Sequence, residues 1–414
     1  MNSLLAYFEM DKKKVVVIGG GAGGFFAAIN LAESHPEVAV TILEKSGHVL
    51  GKVKVSGGGR CNVTHACFTP KDLVKFYPRG NKELLGPFHQ FMTGDTMEWF
   101  ESRGVSLKME DDNRVFPTSN SSQSIIDCFL GETARLGITV KKNCGVTEIT
   151  KTPKTWEVKN SFGILQADAV IVASGSSKLV WGMLEKLGHS IVEPMPSLFT
   201  FNTKDTRLRD LSGLVASSVE VKINGTKLKE RGPLLVTHWG MSGPAILKLS
   251  SVGARMLYEK QYKFTISIDW CFEYDEEDVR EAFIEMKENN PKQQLQKTRL
   301  FQLPKRLWFS FLNYCQIPED KNWADISKKE MNKLIETVKR GQFSINGKST
   351  NKEEFVTCGG IDLKDMNFKT FESKLQPNLF IVGECLNIDA LTGGFNFQAA
   401  WTGGYIAGNS IDFD

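Results

Sequence analysis

An α/β fold interrupted by a mostly β segment is predicted by three features of this 414-residue sequence. A β-branched run near the start leads into a glycine cluster and an alanine-rich stretch. The middle of the chain alternates apolar and polar residues, and the C-terminal region returns to a strand, a glycine cluster and an alanine-rich helix. A chain of this length is also too long for one ordinary core, so roughly two or three domains are expected.

The elements follow in order. "KVVVIGGGAGGFFAAINLAESHPEVAVTILEKS", from Lys14, opens with the continuous run 15–18 of a strand buried on both faces. Glycines follow, then a helix to about Ser34, then a second strand over 38–43, which closes a β-α-β unit. Helices are predicted over 81–92 and 95–103, an extended piece over 105–108, and a further helix in "SNSSQSIIDCFLGETARLG" that stops at Gly137. The chain from Ile138 reads as three antiparallel strands and then a buried one over 169–173.

In the middle, Phe264, Ile266, Ile268 and Trp270 alternate with Lys263, Thr265, Ser267 and Asp269, the pattern of a strand with one buried face. Residues 196–270 are therefore predicted to be mostly β, a barrel or a sandwich. The period then changes. Val279, Phe283 and Met286 share a helical face, and Ser327 with Glu330 forms a capping box opening a helix whose Met331, Leu334, Ile335 and Val338 are apolar and whose lysines point away. Residues 274–341 read as a helical insertion, because "FSINGKST" and "EEFVTCGGI" resume strand character around an Asn-Gly turn. "NLFIVGECLN" is then a buried strand, and "LTGGFNFQAAWTGGYIAGNSI" runs from glycines into a helix that belongs with the first domain.

Composition excludes several function classes. The 51 basic and 48 acidic side chains leave a net charge of +3, which gives no electrostatic case for nucleic acid or an anionic membrane as partner. The eight cysteines contain no C-x-x-C pair and no cluster with the six histidines, so no metal is expected and the thiols read as free and buried. "MNSLLAYFEMDKKK" lacks the features of a signal peptide, and the apolar run 15–29 contains five glycines, so a cytoplasmic protein without a membrane span is expected.

The chemistry is carried first by Gly19-x-Gly21-x-x-Gly24, placed between a predicted strand and helix, with Glu44 twenty positions beyond. In a dinucleotide fingerprint the first glycine permits the tight turn, the second lets a pyrophosphate reach the backbone, and the third allows close helix packing. Helix-start N–H groups meet the phosphates, and the acidic residue accepts from ribose hydroxyls. FAD, NAD and NADP all satisfy this fingerprint. Glu44 argues against a ribose 2′-phosphate, while the long β interruption, the strand end Ala173, Ser174, Gly175 and the C-terminal glycine-helix unit favour FAD.

The sequence resembles the two-dinucleotide-binding-domain flavoproteins of the glutathione-reductase type, and among them the BaiN-like or aminoacetone-oxidase-like oxidoreductases. The resemblance rests on "VIGGGAGG" (17–24), "SGGGRCNVT" (56–64), "NRVFP" (113–117), "THWGMSGPAIL" (237–247) and "VGECLNIDALTGGFNFQAAWTGG" (382–404), which span nearly the whole chain. It implies a Rossmann-like FAD-binding domain (1–192 and 358–414), interrupted by a β-barrel substrate domain (193–273 and 342–357) that carries a helical insertion (274–341). It further implies that the loop Ser56, Gly57, Gly58, Gly59, Arg60, Cys61 and Asn62 lies against the flavin end, with Arg60 and Asn62 as polar contacts.

Other cofactor contacts expected on the same ground are Ala22, Gly23, Lys45 and Val146 near the fingerprint, and Gly383, Glu384 and Asp389 before the last helix. Thr392, Gly393, Gly394, Phe395 and Asn396 would open that helix toward the flavin N1–O2 edge, where negative charge develops on reduction. Two departures from the family pattern stand out: the lead-in "LGKVKV" shifts its basic positions, leaving Lys52 and Lys54 with solvation only, and Ser174 replaces the usual Thr.

His238, in "THWGMSGP", is the candidate catalytic proton donor, with a buried structural histidine as the alternative reading. Cys61 and Cys385 read as packing residues. The leading function is hydride transfer through flavin N5 between NAD(P)H and a small organic substrate, unsaturated or steroid-like. No second G-x-G-x-x-G occurs, so NAD(P)H would bind transiently in the substrate's space. The same feature supports an alternative, an oxidase of a small amine such as aminoacetone that uses oxygen. A third reading is a flavin-containing RNA- or protein-binding module that docks through its lysine-rich helices.

Overall fold

The computed structural model describes residues 12–349 and 356–413; the N-terminal apolar patch and the "EEF" of the expected late strand fall outside them. The chain divides into two units, Met1–Met195 with Lys352–Asp414, and Pro196–Asn351.

The first unit is built on five parallel strands. In chain order they are β1 (Lys14–Ile18), β2 (Ala39–Leu43), β3 (Thr139–Lys141), β4 (Ala169–Val172) and β5 (Leu379–Ile381), lying side by side as β5-β4-β1-β2-β3. β1 has β2 on one side and β4 on the other, so the strand order reverses at its carboxyl end, where open α/β sheets bind ligands. Val15 and Val17 of β1 are fully buried, as the uninterrupted apolar run requires.

Two helices pack together beside this sheet: α1 (Ala22–Ser34), which follows β1, and α2 (Phe395–Asn409), which follows β5. Glycines let their backbones touch. A Cβ on Gly404 would lie 2.9 Å from the Gly23 carbonyl oxygen, and one on Gly408 would lie 2.6 Å from that of Ala27. Residue numbers rise together along both helices, so the helices run parallel and both N-termini point the same way.

Two three-stranded sheets also belong to the first unit. Val146–Lys151, Trp156–Asn160 and Gly163–Ala167 form an antiparallel meander. Thr64–His65, Arg114–Pro117 and Leu107–Met109 form a second, which sets "NRVFP" directly beneath the second glycine loop. One expectation fails here. Residues 81–86 are turns and only Pro87–Gln90 is helical. Pro87 occupies the first helical turn, the one part of a helix that does not need its missing N–H; inside a longer helix it would clash with the preceding turn.

The second unit holds a seven-stranded sheet in the order Gly341–Asn346, Lys263–Asp269, Val215–Ile223, Lys229–Val236, Gly240–Ser242, Thr200–Asn202, Lys348–Ser349. Its two edge strands are consecutive in the chain and meet at Gly347, so Asn346–Gly347 is a change of pairing partner rather than the predicted hairpin turn. Ile266, Ile268 and Trp270 are buried, as their alternation predicts.

Helices Glu276–Asn289, Lys305–Cys315 and Lys328–Arg340 follow, the last capped by the reciprocal Ser327–Glu330 bonds. Two further expectations need correction. Pro244–Val252 and Ala254–Glu259 are helices inside the stretch read as β, with Pro244 opening the first behind Gly243. Lys339 does not point away: it is buried and bonded to Asp269 at 2.7 Å.

Candidate cofactor site

The first glycine turn divides its labour by position. Gly19 has φ +114°, and a Cβ there would lie 2.4 Å from the Ala173 carbonyl oxygen. A Cβ on Gly24 would lie 2.0 Å from the Gly19 carbonyl oxygen. Gly21, by contrast, has nothing within 4 Å of such a carbon, so no protein atom accounts for the glycine there. Its open side faces the start of α1, whose first-turn N–H groups have no intrahelical acceptor and favour an anion. Ala22 and Gly23 begin that helix.

At the end of β2, Glu44 accepts from the Gly20 N–H and the Ser46 N–H, each at 2.8 Å. Lys45 beside it is exposed, while the Val146 side chain is buried in the core and offers a ligand only backbone.

The second glycine loop leaves a short helical turn at Ser56 and then runs through Gly57, Gly58 and Gly59 at φ +58°, +70° and +83°. Gly57 is held by packing, since a Cβ would lie 2.9 Å from the Phe116 ring. Gly58 and Gly59 have nothing within 4 Å and are open. The Arg60 guanidinium bonds Glu110 at 2.6 Å and stacks on Phe116 at 3.9 Å, so it braces the loop. Asn62 is different, for its Oδ1 is buried and has no hydrogen-bond partner.

Cys61 is fully buried at φ +60°, and burial pushes its thiol up to about 12 against a weaker lowering by Ser56. Cys385, also fully buried, is pushed up to about 12 in the same way, so neither thiol is a nucleophile.

The approach to α2 is held by side chains. Asp389 is fully buried and its carboxylate takes the Arg79 guanidinium in a two-pronged pair, which latches the loop. The Asn396 side chain both accepts from and donates to the Ala390 backbone, at 3.0 and 3.2 Å. His65 Nδ1 lies 3.2 Å from the Gly393 carbonyl oxygen, and Tyr77 donates to the Phe395 carbonyl at 2.6 Å. Phe395 is buried and stacks on Phe76 at 4.2 Å, whereas Thr392 is exposed. Gly394 caps the helix at φ +94°, where a Cβ would lie 2.7 Å from Thr64 backbone and 2.9 Å from Asn62 Oδ1.

Between the two glycine loops, Ser174 Oγ meets Cys385 Sγ at 3.8 Å, and Gly175 at φ +59° faces Glu384. Gly383 turns the chain at φ +68°, and Glu384 accepts from the Thr357 N–H and pairs with Lys52. Lys52 thus does more than solvate, and sequence reasoning missed this pair along with Arg79–Asp389. The partners lie 332 and 310 residues apart, beyond any local signal.

His238 lies on an exposed turn of the second unit, where the Thr237 N–H bonds the Gly240 carbonyl at 2.8 Å; it is not a buried structural histidine. A small cavity in that unit is bordered by Ser217, Trp270 and Tyr274. Among the described residues no cluster of metal-ligating side chains occurs, and no helix is long and apolar enough to cross a membrane.

An extended dinucleotide fits this arrangement. Gly23, the second residue of α1, is level with Ala400 to Gly404, the sixth to tenth residues of α2. With 1.5 Å of rise per residue, α2 starts roughly 9 Å ahead of α1. Two positive helix ends are therefore offset along one line, the first beside the open backbone of Gly21 and the second beside the orphaned oxygen of Asn62. A pyrophosphate and a flavin ring joined by a ribityl chain present anionic and electron-accepting groups in that same order.

Comparison with known proteins agrees with this fit. The family model for the HI0933-like protein Rossmann domain matches residues 13–410. The chain is 26% identical over 372 residues to the ribosomal RNA dihydrouridine synthase of Escherichia coli, covering 87% of this chain and 88% of that one. It is 25% identical over 399 residues to the 3-dehydro-bile acid delta(4,6)-reductase of Clostridium scindens, covering 93% and 95%. Among solved structures, the 3-ketosteroid-delta4-(5alpha)-dehydrogenase of Rhodococcus jostii RHA1 superposes with a TM-score of 0.50 at 13% identity over 96% of both chains, a likeness of fold.

Proposed function

The chain belongs to the HI0933-like family, and on that premise we propose that it reduces carbon–carbon double bonds conjugated to a carbonyl, with NAD(P)H as the electron source. It is an FAD-dependent oxidoreductase with a Rossmann-type FAD-binding fold. FAD, when bound, would supply the hydride chemistry of such a reduction, with NAD(P)H as the source of the hydride and a proton needed to complete the second carbon of the double bond.

The chain's own residues bind and orient. The start of α1 and the open Gly21 would hold the pyrophosphate, and Glu44, held by the Gly20 and Ser46 N–H groups, would hold the ribose. The start of α2, fixed by Asn396, Tyr77 and the Arg79–Asp389 pair, would hold the pyrimidine end of the flavin. His238, exposed on its turn, is the proposed donor of the second proton.

The pair of parallel helix starts carries the cofactor half of this reading, and the relatives' names carry the substrate half. A dihydrouridine synthase and a delta(4,6)-reductase both saturate ring double bonds conjugated to a carbonyl, so one chemistry covers both. The near-neutral charge of the chain favours a small substrate over RNA within that class.

The test is an anaerobic absorbance titration of the purified protein. NADH or NADPH is expected to bleach the flavin band, and a steroid-type cyclic enone to restore it; a uridine-containing RNA is the second acceptor to try. Bleaching by aminoacetone but not by NAD(P)H would replace the reductase with an oxidase. His238→Asn is expected to leave bleaching intact and to slow recovery by about 100-fold or more.

A further inference from the structure

The orphaned Asn62 oxygen carries an inference beyond that reading, although it rests on FAD being the cofactor. Asn62 is 9% exposed, and its Oδ1 is buried without a partner. Leaving a buried acceptor unpaired costs about 1–3 kcal/mol, and native structures rarely tolerate it without a reason. The oxygen sits 2.9 Å from the position of a Cβ on Gly394, the residue that caps α2. A set of helix-start N–H donors and one lone side-chain acceptor therefore stand side by side at one end of the site.

The edge of a flavin pyrimidine ring alternates in the same way, with an N–H, N3, between two carbonyls. We infer that the Asn62 side chain accepts a hydrogen bond from flavin N3–H, while the start of α2 donates to the neighbouring C2 carbonyl and N1. Asn62 is then a specificity-determining residue that reads the ring of the cofactor. The loop supports this assignment mechanically. Phe116 packs under Gly57, and Arg60, clamped by Glu110, fixes the turn that carries Asn62. The glycine at position 394 keeps the space in front of the oxygen clear.

The test compares FAD with N3-methyl-FAD, which lacks the donor, by titration of apoprotein followed through flavin fluorescence. Wild type is expected to bind FAD at least about tenfold more tightly than the methylated analogue, the typical effect of one buried hydrogen bond. Asn62→Leu removes the acceptor while filling the space. It is expected to bind FAD about tenfold more weakly than wild type and to bind the analogue unchanged, so that the preference disappears. Asn62→Asp, which keeps an acceptor, should retain a preference for FAD. Asn62→Ala stands in for Asn62→Leu if that variant does not fold by circular dichroism.

Equal binding of the two flavins by wild type, or a preference surviving in both Asn62→Leu and Asn62→Ala, would overturn the inference and leave the cofactor reading intact. Failure of wild type to take up FAD at all would overturn both.

Discussion

The two helix starts that frame the cofactor site are held in place by different means. The start of α1 is fixed by backbone packed on backbone: Gly24 against the Gly19 carbonyl, and Gly19 against Ala173. The start of α2 has one such contact, Gly394 against Thr64 backbone, and adds side chains from distant parts of the chain: Arg79 on Asp389, Tyr77 on the Phe395 carbonyl, His65 on that of Gly393. Backbone contact leaves a local trace in sequence, since only glycine satisfies it, and side-chain anchoring leaves none.

The most damaging way to break the comparison is Gly24→Ala. The added carbon lies 2.0 Å from the carbonyl oxygen of Gly19, a residue itself packed on Ala173 and bonded through its N–H to Leu43, so neither side yields easily. A loss of at least about 4 kcal/mol in urea unfolding is expected, together with loss of FAD uptake. A stable, FAD-loaded variant would mean that the turn is more compliant than its packing implies.

The corresponding cut at α2 is Asp389→Ala, which strands the largely buried Arg79 guanidinium without its carboxylate. Removing one partner of a buried pair costs about 3–5 kcal/mol, and because part of Arg79 remains accessible to water the lower end is expected here. Asp389→Ala with Arg79→Met should recover part of that loss. If the double variant is no better than the single one, the pair is not what holds this loop.

What could be read from the sequence follows the same division. The strands β1 and β2, the fingerprint glycines and Glu44 were legible because their constraints act within about thirty residues and admit few residue types. The alternation at 263–270 and the Ser327–Glu330 cap were legible for the same reason. Arg60 and Asp389 were legible as important but their ion-pair partners were not, because a charged side chain near a cofactor motif carries no local mark of the distant residue it pairs with. Lys52 and Lys339 gave no signal at all, since their partners are set by tertiary packing. Pro87 and Pro244 each stand in the first turn of a helix, a position that proline favours but does not by itself announce.

Alkaline pH loads the buried thiols, two of which, Cys61 and Cys385, lie in the segments that frame the site. Cys61 and Cys385 stay protonated in the folded protein to about pH 12, because burial disfavours their thiolates. In the unfolded chain they ionise near the ordinary thiol value of about 8.5–9. Below that range both states are protonated and pH has no effect. Above it the unfolded state gains stability with each proton it sheds, so the folded state weakens as pH rises from about 9 toward 12. The expected slope is up to about 1.4 kcal/mol per pH unit for each thiol, and Cys61→Ala should flatten it by about one such increment. A thiol reagent at pH 8 should leave both cysteines unlabelled until the protein is denatured.

The smallest expected effect on stability separates packing from ligand most cleanly. Gly21 has φ −96°, an ordinary value for any residue, and nothing within 4 Å of a Cβ. Neither strain nor collision therefore requires glycine there, and as a helix cap it is worth roughly 0.5–1 kcal/mol over alanine. Gly21→Ala should lower unfolding stability of the apoprotein by no more than about 1 kcal/mol. Its methyl group would nevertheless stand where a pyrophosphate must approach the backbone, so FAD affinity should fall by about tenfold or more. Gly24→Ala fails because of the protein and Gly21→Ala because of its ligand, although the two glycines stand three residues apart in one turn. If Gly21→Ala bound FAD like wild type, the open backbone at α1 would not be the pyrophosphate site, and the parallel offset of the two helix starts would lose its chemical meaning.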